Sequence, residues 1–146
     1  MKIYDFFLKK LRKKPNSIFL SNENTSYTYK DLYDLIVSFE KCDFEGSYIT
    51  IIRENSVYFF ALYLLCSKIN KTLVTLDHNS NFEILKKQII EFKLNNILCS
   101  DKLKQKLISE KVKKNFLKES NNFKKKILKK KKRKMKFFYL LFPQDQ

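Results

Sequence analysis

The 146-residue sequence predicts an α/β fold: a partial parallel β-sheet with β-α-β crossovers, preceded by a helix and a β-hairpin and followed by a basic helical or irregular C-terminal tail. Three observations carry this expectation. Residues 48–52, 72–76 and 96–99 are short β-branched or apolar runs, which suit strands covered on both faces rather than one-faced hairpins. The stretches between them have helical apolar spacing and their own start signals. The resulting order of strand, helix, strand, helix, strand is the alternation that makes right-handed crossovers in a parallel sheet.

Taken in order, Ile3, Phe7 and Leu11, with Phe6 beside them, form an apolar stripe on a first helix that Pro15 ends and that packs outside the sheet. Residues 17–20 and 25–29 are β-prone segments around the polar turn 21–24, the pattern of a hairpin. Thr28 then reads as an N-cap with Asp31 completing a capping box, for a helix carrying Leu32, Leu35, Ile36 and Phe39 on one face. Gly46 ends the following loop. After the strand at 48–52, Asn55 and Ser56 open a helix to about Ile69 that is apolar nearly all round and therefore reads as buried. Asn70 stops it, because after glycine asparagine best tolerates the left-handed conformation at a helix end. The strand at 72–76 ends in Asp77. Ser80 and Glu83 read as a capping box for a helix whose Phe82, Leu85, Ile89 and Phe92 face the sheet. A Lys-rich helix with Leu103, Leu107 and Val112 on one side follows Asp101, and residues 137–142 are a last apolar run.

Composition narrows the chemistry. Hydrophobic residues at 44% and charged residues at 32% exclude a disordered tail or a membrane protein, and the size is that of one domain. A single glycine excludes phosphate cradles of the G-x-x-x-x-G-K or G-x-G-x-x-G kind, and a single histidine excludes a multi-histidine metal site. Cys42, Cys66 and Cys99 contain no C-x-x-C pair, so no zinc site or disulfide framework is indicated and a reducing cytoplasm fits. The first residues carry Lys2, Asp5, Lys9 and Lys10 around too short an apolar core for a signal peptide, and the most apolar stretch, 57–66, is too short to span a bilayer. The expectation is a soluble, cytoplasmic protein.

Charge divides the chain. Residues 1–100 hold 14 Lys+Arg against 11 Asp+Glu, and residues 101–146 hold 17 against 4. The extreme is the run from Lys124 to Lys136, KKKILKKKKRKMK. Such a run is ordinarily solvated; its alternative role is a patch for nucleic acid or an anionic surface, although no aromatic residue interleaves it for stacking. The abundance of Lys, Asn, Ile and Phe is also the signature of an A+T-rich coding sequence.

Few side chains point to catalysis. His78 follows a strand end without an acidic or nucleophilic partner in the pattern, and Asp77 reads as a turn or helix-entry carboxylate. Cys66 and Cys99 lie on buried elements and read as small hydrophobes, while Cys42 is the most exposed thiol and has no base beside it. Tyr58, Phe59, Phe60 and Tyr63 read as core rather than a base-stacking platform. No catalytic, cofactor-binding or metal-ligating residue is assigned.

Several segments, collinear and suitably spaced, resemble the start of the AMP-binding (adenylate-forming) ligase superfamily, which includes acyl-CoA synthetases and peptide-synthetase adenylation domains. Pro15 precedes a strand; Tyr27-Thr28-Tyr29-Lys30-Asp31-Leu32 is similar to the family's T-Y-x-E-L; Gly46-Ser47-Tyr48-Ile49-Thr50-Ile51 resembles G-D-x-V-A-I. Asn55-Ser56 falls where an N-S pair opens the next helix. Residues 68–77, KINKTLVTLD, are similar to K-A-G-x-x-x-V-P-L-D, with Asn70 in place of the glycine and Thr75 in place of the proline. The resemblance covers residues 10 to about 105.

The resemblance implies that residues 1–105 are the N-terminal part of such a ligase domain, with 106–146 a Lys-rich tail that is out of frame or incomplete. It implies a parent that activates a carboxylic acid with ATP and Mg and passes it to an acceptor such as a thiol. The parent's phosphate loop, Mg-binding acid, adenine-stacking aromatic, ribose-binding Asp and catalytic lysine have no counterpart here, so the chain alone is expected to bind no cofactor and to be catalytically silent. Where 137–142 would lead into the phosphate loop, the chain reads Pro143-Gln144-Asp145-Gln146. Codons for Phe142-Pro143-Gln144-Asp145 read two nucleotides later are compatible with Ser-Ser-Gly, so a frameshift is one expectation for this ending. The alternatives are a small basic module that binds nucleic acid or an anionic surface through Lys124–Lys136, and a free-standing α/β regulator.

Overall fold

The computed structural model describes residues 2–21, 25–54 and 56–118. The elements run α1 (Ile3–Lys13), β1 (Ile18–Ser21), β2 (Ser26–Thr28), α2 (Tyr29–Glu40), β3 (Tyr48–Ile52), α3 (Val57–Ile69), β4 (Thr72–Thr75), α4 (Phe82–Glu91), β5 (Ile97–Cys99) and α5 (Asp101–Ser109). The class and order are those the sequence predicts. β1 and β2 form the antiparallel hairpin, and β3, β4 and β5 a parallel sheet in the order β4-β3-β5. The connection from β3 leads to one neighbour and that from β4 crosses back over β3, so two right-handed crossovers put α3 and α4 on opposite faces. Two separate cores result. One packs α1, α2 and α3 around Leu32, Phe39, Leu62 and Leu65; the other packs Leu85, Ile89 and Leu107 against Ile52 and Ile97.

Local signals place most of these elements. Thr28 Oγ1 accepts from the Asp31 N–H at 3.1 Å and Asp31 Oδ2 accepts from the Thr28 N–H at 2.9 Å, the reciprocal capping box. Leu32, Leu35, Ile36 and Phe39 are fully buried on the helix it starts. Ser56 caps α3, its hydroxyl accepting from the Tyr58 N–H, and Asn70 ends it in the left-handed conformation with φ 56°. Rings join the hairpin to the helices: Phe19 meets Tyr29 edge-on at 5.2 Å and Phe60 at 5.6 Å, and Phe7 stacks on Tyr29 at 5.9 Å.

Some details depart from the pattern. The buried stripe of α1 is Tyr4 and Phe7, with Leu8 and Leu11 half-buried beside them, while Ile3 and Phe6 are exposed. The helix is held in that rotation by α3, where Ser67 Oγ accepts from the Tyr4 N–H at 3.3 Å and Lys68 lies 5.3 Å from the Tyr4 ring centre. The cap of α4 is Asn81, accepting from the Ile84 N–H at 3.0 Å, rather than Ser80. Phe92 is 62% exposed instead of facing the sheet, because α4 ends at Glu91, Lys93 turns left-handed, and the chain buries Leu94 in its place. β4 is half-buried rather than buried, since it is the sheet's edge. For the same reason α3 is not buried all round: Tyr58 is, but Phe59 and Phe60 are half-buried and Tyr63 is exposed. Packing continues past residue 105 through α5, buried Val112 and Leu117, and a bridge between Ile97 and Phe116. Asn55, the tip of the hairpin turn, Lys124–Lys136 and 137–142 lie outside the described residues.

A buried amide closes the sheet's entry side. Asn96, fully buried at φ 52°, donates from Nδ2 to the carbonyls of Glu45 and Tyr48 at 2.8 and 2.6 Å. Its Oδ1 accepts from the Glu45 N–H at 3.0 Å and from Asn115 Nδ2 at 2.8 Å. Asn95 Oδ1 accepts from the N–H groups of Asn96 and Asn115 at 2.9 and 2.7 Å.

Replacing Asn96 with Leu keeps the volume but orphans several of these groups, so urea unfolding should show a loss of about 3 kcal/mol or more; Thr28→Ala should lose about 1 kcal/mol. Thiol burial predicts a pH effect. Desolvation pushes Cys66 and Cys99 up to about 11, with the nearby Lys71 and Lys104 respectively opposing it. Below pH 9 both thiols are protonated whether the chain is folded or not; above it the unfolded chain releases protons the folded chain keeps, so stability falls as pH rises from 9 to 11. Urea midpoints across that interval should drop for the parent chain and drop less for the Cys66→Ala, Cys99→Ala double variant.

Candidate functional site

In a parallel sheet whose connections leave to opposite faces, the neighbouring strand ends enclose a crevice. Here it lies at the carboxyl ends of β3 and β4, a cleft of about 420 Å³ lined by Ile51, Arg53, Phe59, Thr75, Asp77 and His78, among others. Each wall follows from chain direction. Arg53 is the first residue past β3, Phe59 stands on the first turn of α3, and Asp77 and His78 follow β4.

Arg53 is half-buried, its guanidinium 4.3 Å from the Tyr58 ring centre, a cation–π contact that fixes it beside the cleft. His78 is exposed, as expected of a loop residue. Asp77 is the turn carboxylate the sequence suggested: its Oδ1 accepts from the Asn79 N–H at 2.9 Å and its carbonyl from the Ser80 N–H at 3.0 Å. The fold thus brings Asp77 and His78 together with Arg53, which the sequence did not single out. Its only signal was position, a cation immediately beyond a strand end. The cleft offers a stacked cation, an imidazole and a carboxylate for binding a polar group. Among the described residues no group of three His, Cys, Asp or Glu side chains is placed to hold a metal ion.

The thiols stand apart from this cleft's chemistry. Cys66 is buried on α3 and Cys99 is half-buried at the end of β5, both held protonated by desolvation. Cys42 is half-buried rather than open, its Sγ 3.8 Å from the Lys118 carbonyl oxygen. Tyr58 and Phe60 serve the core, while Phe59 and Tyr63 stack on one another at 6.1 Å and reach the surface beside β4. Among the described residues no helix is long and apolar enough to cross a membrane.

No protein-family model and no curated protein matches the sequence. Solved structures do match in shape. The R395G mutant of coronafacic acid ligase from Pectobacterium brasiliense superposes with a TM-score of 0.66 at 19% identity, over 80% of this chain and 25% of that one. VinN in complex with L-aspartate gives 0.62 at 15% identity, over 75% and 30%. The N-terminal subdomain of Klebsiella oxytoca NpsA gives 0.56 at 18% identity, over 68% and 28%. The chain therefore spans between a quarter and a third of the length of these structures. Identities this low speak for the fold alone: the chain shares the fold of the segments it matches in these structures.

Proposed function

We propose that this chain is the N-terminal part of an ATP-dependent adenylate-forming ligase of the acid-thiol type, cytoplasmic, and inactive by itself. In the complete enzyme a carboxylic acid would be activated with ATP and Mg and handed to an acceptor thiol. One observation supports this reading: the segments that resemble the family form the elements that the sequence pattern assigns to them. Thr28 and Asp31 form the capping box that opens α2; residues 48–51 enter β3; Ser56 caps α3; and residues 68–77 supply the end of α3, the left-handed Asn70 and β4. These coincide with a fold shared with coronafacic acid ligase over four fifths of the chain.

The described residues do not suit ATP or Mg. Gly46, the sequence's single glycine, lies in the loop that enters β3, at the end of the sheet opposite the cleft, and no acidic cluster accompanies it among the described residues. In this reading these side chains carry out no catalytic step. Their contribution is structural: two cores, a three-stranded sheet and one cleft wall carrying Arg53.

Two measurements test this. Acid-dependent exchange of pyrophosphate into ATP by the purified chain should stay at background, and activity there would overturn the assignment of silence. The locus, read past codon 146 in all forward frames, should encode a Ser/Thr/Gly-rich phosphate loop followed by several hundred family-like residues; frames without one would overturn the ligase reading.

A further inference from the structure

β4 forms one edge of the parallel sheet, and no strand among the described residues pairs with its outer side. Its inner side is engaged: the Thr72 N–H donates to the Ser47 carbonyl at 2.9 Å and the Leu76 N–H to that of Ile51 at 3.0 Å. The alternation of a strand therefore turns the backbone N–H and C=O of Leu73 and Thr75 outward. Along this edge runs a groove of about 440 Å³ that Ile3, Phe59, Tyr63 and Leu73 help to line. Ile3 is 46% and Tyr63 45% exposed.

Proteins ordinarily blunt such an edge with proline, a bulge or an inward charge. β4 has none of these between its end residues. Thr75 stands where the similar K-A-G-x-x-x-V-P-L-D segment has proline, so a backbone donor faces outward at a position where proline would supply none.

The charges flanking the edge are self-complementary. Lys71 and Asp77 have the same parity as Leu73 and Thr75, and so share their face of the sheet. An antiparallel copy related by a two-fold axis at Val74 sets Leu73 of each chain opposite Thr75 of the other. Both pairs are of the hydrogen-bonded kind and exchange both N–H···O bonds. The same register sets each Lys71 opposite the other copy's Asp77. Moving the axis to Leu73 puts Lys71 opposite Thr75, and moving it to Thr75 puts Asp77 opposite Leu73, so neither keeps the charge match. Lys71 now donates to the neutral carbonyl of Gly46, and Asp77 accepts from Asn79 through Oδ1, leaving Oδ2 for a cation. With the axis normal to the sheet, both α3 helices lie on the same face and turn their Phe59–Tyr63 sides toward each other.

We propose that the open edge of β4 is a self-association surface, on which a second copy pairs antiparallel about Val74 to make a continuous six-stranded sheet. Sedimentation of the full chain up to about 100 μM, in about 0.15 M salt that limits repulsion between Lys-rich regions, should give a particle of twice 17.7 kDa. Thr75→Pro should give a monomer with an unchanged circular-dichroism spectrum. Lys71→Glu or Asp77→Lys alone should weaken the dimer up to about tenfold, and the two together should restore it. Val74→Cys should crosslink readily under mild oxidation, because the axial residues form a non-hydrogen-bonded pair with Cα atoms about 4.5 Å apart; this holds even if the proline variant misfolds. A chain that stays monomeric throughout, a dimer indifferent to both charge reversals, or no crosslink beyond that of the unsubstituted chain would overturn the proposal. So would a monomer that gains mass only with a separately expressed remainder of an adenylation domain.

Discussion

The carboxamide of Asn96 is the contact on which the sheet side of this structure depends. It is fully buried, and it joins the loop before β3, the entry to β5 and, through Asn115, the segment after α5. A buried amide is stable only when its donors and acceptors are matched, and here both Nδ2 and Oδ1 are used twice. The left-handed φ of Asn96 is part of the arrangement, since it turns the chain into β5 as the side chain reaches back toward Tyr48. Strand order follows. With β5 tied to the start of β3, the other neighbour of β3 is β4, and β4 is left at the edge.

That order decides what is covered. α3 sits against α1 and α2 on one face, and α4 and α5 lie on the other, so β3 is buried from both sides while β4 is not. The same asymmetry explains α3. Its composition is apolar almost all round, yet the side toward β4 keeps Tyr63 at the surface. It also creates the cleft at the strand ends, where connections leave β3 and β4 in opposite directions and Arg53 stands beside Asp77 and His78. An edge, a groove and a cleft are thus three consequences of one topology.

Legibility varied with the range of the interaction. The capping box at Thr28 and Asp31 and the left-handed stop at Asn70 were readable because each is completed within a few residues. The α1 stripe was read correctly at Phe7 and Leu11 and wrongly at Ile3 and Phe6, because Ile3, Phe6 and Tyr4 are all apolar enough to bury and only contact with Ser67 and Lys68 sets the rotation. Ser80 and Asn81 are both good caps, and they are adjacent in the chain. Phe92 was read inward by periodicity, which continues in sequence after the helix itself has ended. The Asn95, Asn96 and Asn115 cluster left no local mark, since its partners lie up to 72 residues apart.

By itself the sequence determined the α/β class, the order of elements, the buried face of α2 and the absence of glycine-rich phosphate cradles, because these depend on local propensity, periodicity and composition. Tertiary structure alone decided that β4 is an edge, that Arg53 joins Asp77 and His78, and that three asparagines share one network. Those facts depend on which distant segments become neighbours, and that is set by pairing and by the satisfaction of buried polar groups across the whole chain.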